Sequence, residues 1–203
     1  MKNGVLLPLV PEGEWAVLFE VRSSNLKHQP GEICFPGGQV DATDTSEQET
    51  AVRETCEELQ VPRSSIEVLG ELDIMLTPFQ LILYPYVGIL REPQAINPDS
   101  REVAGVFTVP LRELLRVTPE YYEMTVEVQP PKNFPLHKIP NGKDYQWRTG
   151  ILPELFYEFN GYVVWGMTAR VLNNFLQIIQ EDVAGRSTPG PPAPAPCPVR
   201  PRP

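Results

Sequence analysis

Apolar and β-branched residues dominate Val5 to Val10 and Glu14 to Val21, and Pro11-Glu12-Gly13 between them is a turn sequence, so the chain opens with a β-hairpin. Strand patterns recur at Ile66 to Leu76, Leu81 to Leu90 and Val103 to Val109. A second hairpin pairs Tyr121 to Gln129 with Leu155 to Val164, across a long Pro, Asn and Gly-rich loop that carries Tyr145, Trp147 and Arg148. A loop of that length is either a binding element or a surface excursion. Two helices interrupt the strands. The first runs from about Glu47 to Gln60, with Ser46 and Glu49 spaced as a capping box and Pro62 closing it. The second runs from about Met167 to Gln180, where Val171, Phe175, Leu176 and Ile179 form an apolar stripe.

This order predicts sheet and helices packed in layers, and it does not repeat βαβα, which argues against a doubly wound parallel sheet. The chain has 203 residues, the size of one domain with an appendage. Residues 1–186 read as that domain. Of the 24 prolines, eight fall in the 17 residues from Ser187 to Pro203, a stretch with one valine and no aromatic residue. Such a segment buries too little apolar surface to offset its ordering entropy, so it reads as a disordered or polyproline-like tail.

Charge and rare residues narrow the chemistry. The net charge is −9, and Asp41, Asp44, Glu47, Glu49, Glu54, Glu57 and Glu58 are opposed within their own segment only by Arg53. Extended nucleic acid and anionic membrane surfaces need clustered cations that are missing here. Two histidines, His28 and His137, and three cysteines, Cys34, Cys56 and Cys197, show no zinc-site spacing. An odd cysteine count and no apolar leader after Met1-Lys2-Asn3 lead us to expect a reducing, cytoplasmic setting, and no run is long enough to cross a bilayer. The expected partner is a small molecule. Whether the chain is a monomer or a homodimer is open.

The acidic helix divides into faces. At 100° per residue Val52, Cys56 and Leu59 form the core stripe, and Glu54, Glu57 and Glu58 fall opposite. Carboxylates at i, i+3 and i+4 stand with their β-carbons only about 5–6 Å apart and repel one another. A solvated acidic face is the ordinary fate of such a helix. What shifts the reading is the sharp turn ahead of it, Phe35-Pro36-Gly37-Gly38, whose carbonyls can face a ligand. Carboxylate and carbonyl oxygens together suit Mg²⁺ or Mn²⁺.

Gly38 followed by Arg53-Glu54-Thr55-Cys56-Glu57-Glu58-Leu59-Gln60-Val61 resembles the Nudix box, GX5EX7REUXEEXGU with U a bulky apolar residue, at Arg53, Glu54, Glu57, Glu58 and Val61. Three departures stand out. The Gly38 to Arg53 interval is one residue longer, Thr45 replaces the usual glutamate eight residues before the arginine, and Gln60 replaces the final glycine. The extra residue is a mark of the coenzyme A diphosphatase branch, whose upstream signature, approximately LLTxRSxxxRxxxGxxxFPGG, is similar to the segment here. Val17-Leu18-Phe19-Glu20-Val21-Arg22-Ser23, Lys27, Gly31 and Phe35-Pro36-Gly37-Gly38 keep every interval, with Lys27 in place of arginine. The resemblance spans roughly residues 4 to 181.

The resemblance implies a Nudix α/β/α sandwich, a mixed sheet between helices with the acidic helix in a loop-helix-loop. It implies Mg²⁺-dependent cleavage of the coenzyme A diphosphate to 3′-phosphoadenosine 5′-phosphate and 4′-phosphopantetheine. Glu54, Glu58 and the Gly38 carbonyl would hold the metal, with Glu57 a further ligand or a base, and Arg53 would orient the glutamates. Glu102, just before a strand, is the candidate for a loop acid acting as ligand or base. Arg22 and Lys27 would hold substrate phosphates, and Phe35 is either a core residue or a stacking surface for substrate. With Thr45 unable to pair with Arg53, Glu47 or Glu49 is the expected replacement. A diphosphatase for ADP-ribose, a dinucleotide or a nucleoside triphosphate, and a binding module without turnover, are the competing readings; the intact glutamates argue against the last.

Overall fold

The computed structural model describes residues 1–187 other than Phe79, with side chains described as far as Asp182. In chain order its strands and helices are β1 (Lys2–Pro11), β2 (Trp15–Arg22), β3 (Ile33–Cys34), β4 (Gly37–Gln39), α1 (Glu47–Leu59), β5 (Ile66–Glu71), β6 (Met75–Leu76), β7 (Ile82–Leu90), β8 (Val103–Pro110), α2 (Leu111–Leu114), β9 (Glu120–Val126), β10 (Gly150–Phe159), β11 (Tyr162–Trp165) and α3 (Gly166–Ser187).

The opening hairpin forms as the pattern predicts, with Leu9 opposite Val17 and Val10 opposite Ala16. Alternation along its strands builds two cores. Val10, Ala16 and Leu18 cluster with Leu59, and Leu6 with Ala51, both on α1. Leu7, Leu9, Val17 and Phe19 cluster with Val171, Leu172 and Phe175 of α3. A helix on each face of one sheet is the expected α/β/α sandwich. The sheet is mixed: β1 runs parallel to β7, with Leu6 beside Tyr86, whereas β2, β4 and β5 join it through antiparallel pairs. A separate antiparallel sheet runs β11-β10-β9.

Two features place the acidic helix against the Pro-Gly-Gly turn. β2 pairs with β1 only at Leu9 to Pro11, and β4 takes the same edge at Asn3 to Val5, which sets Gly38 beside Gly4. A β-carbon on Gly4 would stand 2.2 Å from the Glu47 carbonyl, so glycine lets the first turn of α1 lie directly on β1. The capping box is real at its N-terminal half: Ser46 accepts the Glu49 N–H at 3.1 Å. The helix closes on Gln60, held left-handed at φ 54° and ψ 43°.

Several boundaries differ from the pattern. Ile66 to Leu76 breaks into β5 and β6, both on β7: Leu72 still donates its N–H to the Pro85 carbonyl, but Asp73 turns its own to Asn174 Oδ1 of α3. Tyr121 does pair with Leu155, but Leu155 to Val164 is not one strand. Asn160 and Gly161, at φ 50° and 84°, turn it into the β10–β11 hairpin. The last helix begins at Gly166 and runs past Gln180 to Ser187. In the loop between β9 and β10, Trp147 packs edge-on to Phe134 and Tyr145. The Pro-rich segment read as a tail lies, beyond Ser187, outside the described residues. Among the described residues no helix is long and apolar enough to cross a membrane.

Candidate active site

The glutamates of α1 do not share one solvated face. Glu58 is 6% exposed and its Oε2 accepts the Gly37 N–H at 2.9 Å. Burial pushes its carboxyl up to about 8, with Glu54 and Glu102 adding to the rise and the Gly37 N–H opposing it. Glu54 is half-buried and also raised, chiefly by burial, against the pull of Arg53. Its carboxylate fills the space beside Gly38, where a β-carbon would stand 2.4 Å from Oε1. Glu57 points outward and meets Arg53 Nη1 at 3.2 Å. The core stripe is also displaced: Cys56 is only partly buried, whereas Ala51, Val52, Thr55 and Leu59 are buried.

Arg53 finds a partner that neither the box pattern nor the expected glutamates supply. Its Nε and Nη2 grip the two carboxylate oxygens of Asp44 at 2.8 and 3.0 Å, and Nη2 also meets Glu54 Oε1 at 3.0 Å. Glu47 instead pairs with Lys2 and Glu49 with Arg63, while Thr45 is exposed. The guanidinium beside Asp44 holds that carboxyl well below the usual range. Asp44 is fixed from its own loop and from α1, since Oδ2 also accepts from the Asp41 N–H and the Thr50 hydroxyl.

Glu102 is exposed on the turn before β8, and its charge reaches Glu54, Glu58 and Glu20. The turn is tied to the end of α1, where Asp99 donates its N–H to the Glu58 carbonyl and Asn97 to that of Leu59. Glu20 is a participant that the motif reading missed. It is 1% exposed, its Oε1 has no hydrogen-bond partner among the described residues, and burial followed by the nearby Glu58 raises its carboxyl strongly. A charged residue inside Leu18-Phe19-Glu20-Val21 was the available signal.

Among the described residues no three acidic, histidine or cysteine side chains are gathered as a ready-made metal site. The residues nonetheless fit a hard cation. Glu20, Glu54 and Glu58 crowd carboxyl groups into a poorly solvated place, all offered atoms are oxygens, and one carboxyl oxygen is unpartnered among the described residues.

A cavity of about 340 Å³ adjoins this acid cluster at Gly37 and extends towards the start of α3. Arg22 lines it, where the β2–β8 register shifts between Val21 and Arg22. Phe35 lines it too, yet is buried and stacked on Phe19 at 5.0 Å, so it is a core residue with one edge on the cavity. Lys27 is exposed and not part of the lining, and neither are Tyr145, Trp147 and Arg148 of the long loop.

A family model, the NUDIX domain, matches residues 3–128. The chain belongs to the Nudix family. It is 34% identical over 171 residues to the mouse peroxisomal coenzyme A diphosphatase NUDT7, covering 84% of this chain and 66% of that one. It is 34% identical to a Nudix hydrolase NudL of Escherichia fergusonii, over 86% of this chain and 81% of the relative. A MutT/nudix family crystal structure from Enterococcus faecalis superposes with a TM-score of 0.53 at 12% identity, over 88% of this chain and 62% of that one, and so agrees in fold. This chain is thus a Nudix hydrolase, of a family that generally uses divalent metal ions.

Proposed function

We propose that this Nudix hydrolase cleaves the diphosphate linkage of coenzyme A and its thioesters, releasing 3′-phosphoadenosine 5′-phosphate and 4′-phosphopantetheine or its acyl form. The likeness to a coenzyme A diphosphatase across 84% of the chain carries this reading. It is supported by the kept intervals from Val17 to Gly38 and by a cavity that opens beside the acid cluster.

Glu54, Glu58 and the Gly38 carbonyl would hold Mg²⁺ or Mn²⁺, with Glu57 as a further ligand. Such a cation would supply charge neutralisation at the diphosphate and acidify the attacking water. Arg53, locked by Asp44, keeps Glu54 and Glu57 in place. Glu102 takes the proton of the attacking water on its carboxylate. Arg22 holds a substrate phosphate, a role we withhold from Lys27 because it stands outside the cavity. Turnover should be measured with Mg²⁺ on coenzyme A, its thioesters, ADP-ribose, reduced dinucleotides and oxidised nucleotides, with products identified by mass. The reading requires coenzyme A or a thioester to be the best substrate; coenzyme A left intact while another diphosphate is consumed would overturn it.

A further inference from the structure

Three residues that line the cavity beside the acid cluster each carry a buried polar atom with no hydrogen-bond partner among the described residues: Asn3 Oδ1, Arg22 Nε and Glu154 Oε2. Buried polar atoms are seldom left unpaired, because each forfeits its hydration without replacement. Three of them on the residues of one cavity wall are groups that a bound molecule would satisfy. Arg22 lies on the side of Glu20 and Glu58, whose charges act with its own, and it asks for an acceptor or anion. Asn3 and Glu154 ask for N–H or O–H donors.

The remaining lining is largely apolar, with Val5, Leu81, Leu83, Leu152 and Met167 among it. The volume suits a chain of small-ligand size. The wall that holds Glu154 also lies beyond the matched domain. Leu152, Glu154 and the start of α3 all lie beyond residue 128, where the family match ends. The acid cluster thus lies within the matched segment, and the C-terminal sheet and helix complete the space next to it. Glu154 stands opposite Tyr122 in the sheet, and its Oε2 is 3.9 Å from where a β-carbon on Gly166 would be. The start of α3 offsets part of its charge but gives Oε2 no hydrogen bond.

We propose that this cavity receives the non-nucleotide half of the substrate, an apolar arm bearing N–H or O–H donors, and that Glu154 is the residue that selects it by accepting one of them. The proposal rests on the diphosphatase reading and deepens it, since a pantetheine arm, with two amide N–H groups and a hydroxyl on an aliphatic chain, has this chemistry. Arg22 then meets the phosphate end.

The test compares kcat/KM for coenzyme A with that for an ADP ester of a plain alkyl alcohol, which has no donor on its arm, in wild type, Glu154→Gln and Glu154→Leu. A parallel NMR titration uses pantetheine, which has the arm and no phosphate. The ratio of coenzyme A to alkyl-ester kcat/KM should fall about 10- to 100-fold in Glu154→Leu, through KM, and less in Glu154→Gln, which keeps an acceptor. Pantetheine should shift Leu81 and Met167 methyl signals in wild type and not in Glu154→Leu. A ratio that stays within about twofold of wild type overturns the proposal, as does equal loss on both esters. If wild type leaves coenzyme A intact, the diphosphatase reading fails separately, and the titration decides: pantetheine binding that depends on Glu154 upholds the inference, and no binding to wild type overturns it.

Discussion

Replacing Glu58 with glutamine should stabilise the metal-free protein progressively as the pH rises above about 4.5, with the full gain by about pH 8. Folded Glu58 holds its proton up to about pH 8, against an ordinary carboxyl value of 4.5. Below about 4.5 both states are protonated and nothing is lost. Between 4.5 and 8 the unfolded chain is ionised while the folded one retains its proton, so folding takes up a proton and stability falls as pH rises. Above 8 the whole penalty is present. A tenfold change in proton affinity between the two states is worth about 1.4 kcal/mol, which puts the penalty on the order of 3–5 kcal/mol. Glutamine keeps the shape and still accepts the Gly37 N–H, but has no charge to bury. Thermal unfolding in EDTA, from pH 4.5 to 8.5, should show equal Tm values at the acid end. At the alkaline end the glutamine variant should lead by roughly 6–20 °C, given about 2–4 °C per kcal/mol for a chain of this size. Mg²⁺ should raise wild-type Tm at pH 8.5 and leave the variant nearly unmoved. A variant that tracks wild type across the range would refute the idea that Glu58 is a buried carboxylate waiting for a cation.

Other outcomes follow from the same geometry. Asp44→Asn should lower kcat about 10- to 100-fold in steady-state assays by freeing Arg53, whereas Thr45→Ala should change little. Gly38→Ala should displace the Glu54 carboxylate and reduce kcat about 100-fold, while circular dichroism shows the fold retained. Gln60→Gly should raise stability by about 0.5–1 kcal/mol in urea unfolding, because relief at φ 54° outweighs the lost Asn97 hydrogen bond to Gln60.

Much of the fold was legible because local signals and packing agree. The opening hairpin has both its alternation and its turn, and α1 has its cap at Ser46. Where the reading failed, a nonlocal partner decided. The helical wheel put Glu58 with the solvated glutamates, but β4 covers that side of the helix and supplies the Gly37 N–H. Spacing pointed to a glutamate partner for Arg53, whereas hydrogen bonds from Asp41 in the loop and Thr50 on α1 deliver Asp44. Glu20 and Glu154 escaped because burial, which the sequence does not state, is what makes them notable. The Asn160-Gly161 turn, by contrast, was a signal present in the sequence and passed over.

Hydrolysis of the coenzyme A diphosphate by the acid cluster is tested most directly by incubating the wild-type protein with coenzyme A and Mg²⁺ in ¹⁸O-labelled water, followed by mass spectrometry. The expected products are 3′-phosphoadenosine 5′-phosphate and 4′-phosphopantetheine in equal amounts, with one labelled oxygen per cleavage and product formation abolished by EDTA. Coenzyme A recovered intact, under conditions where another diphosphate is hydrolysed, would contradict it.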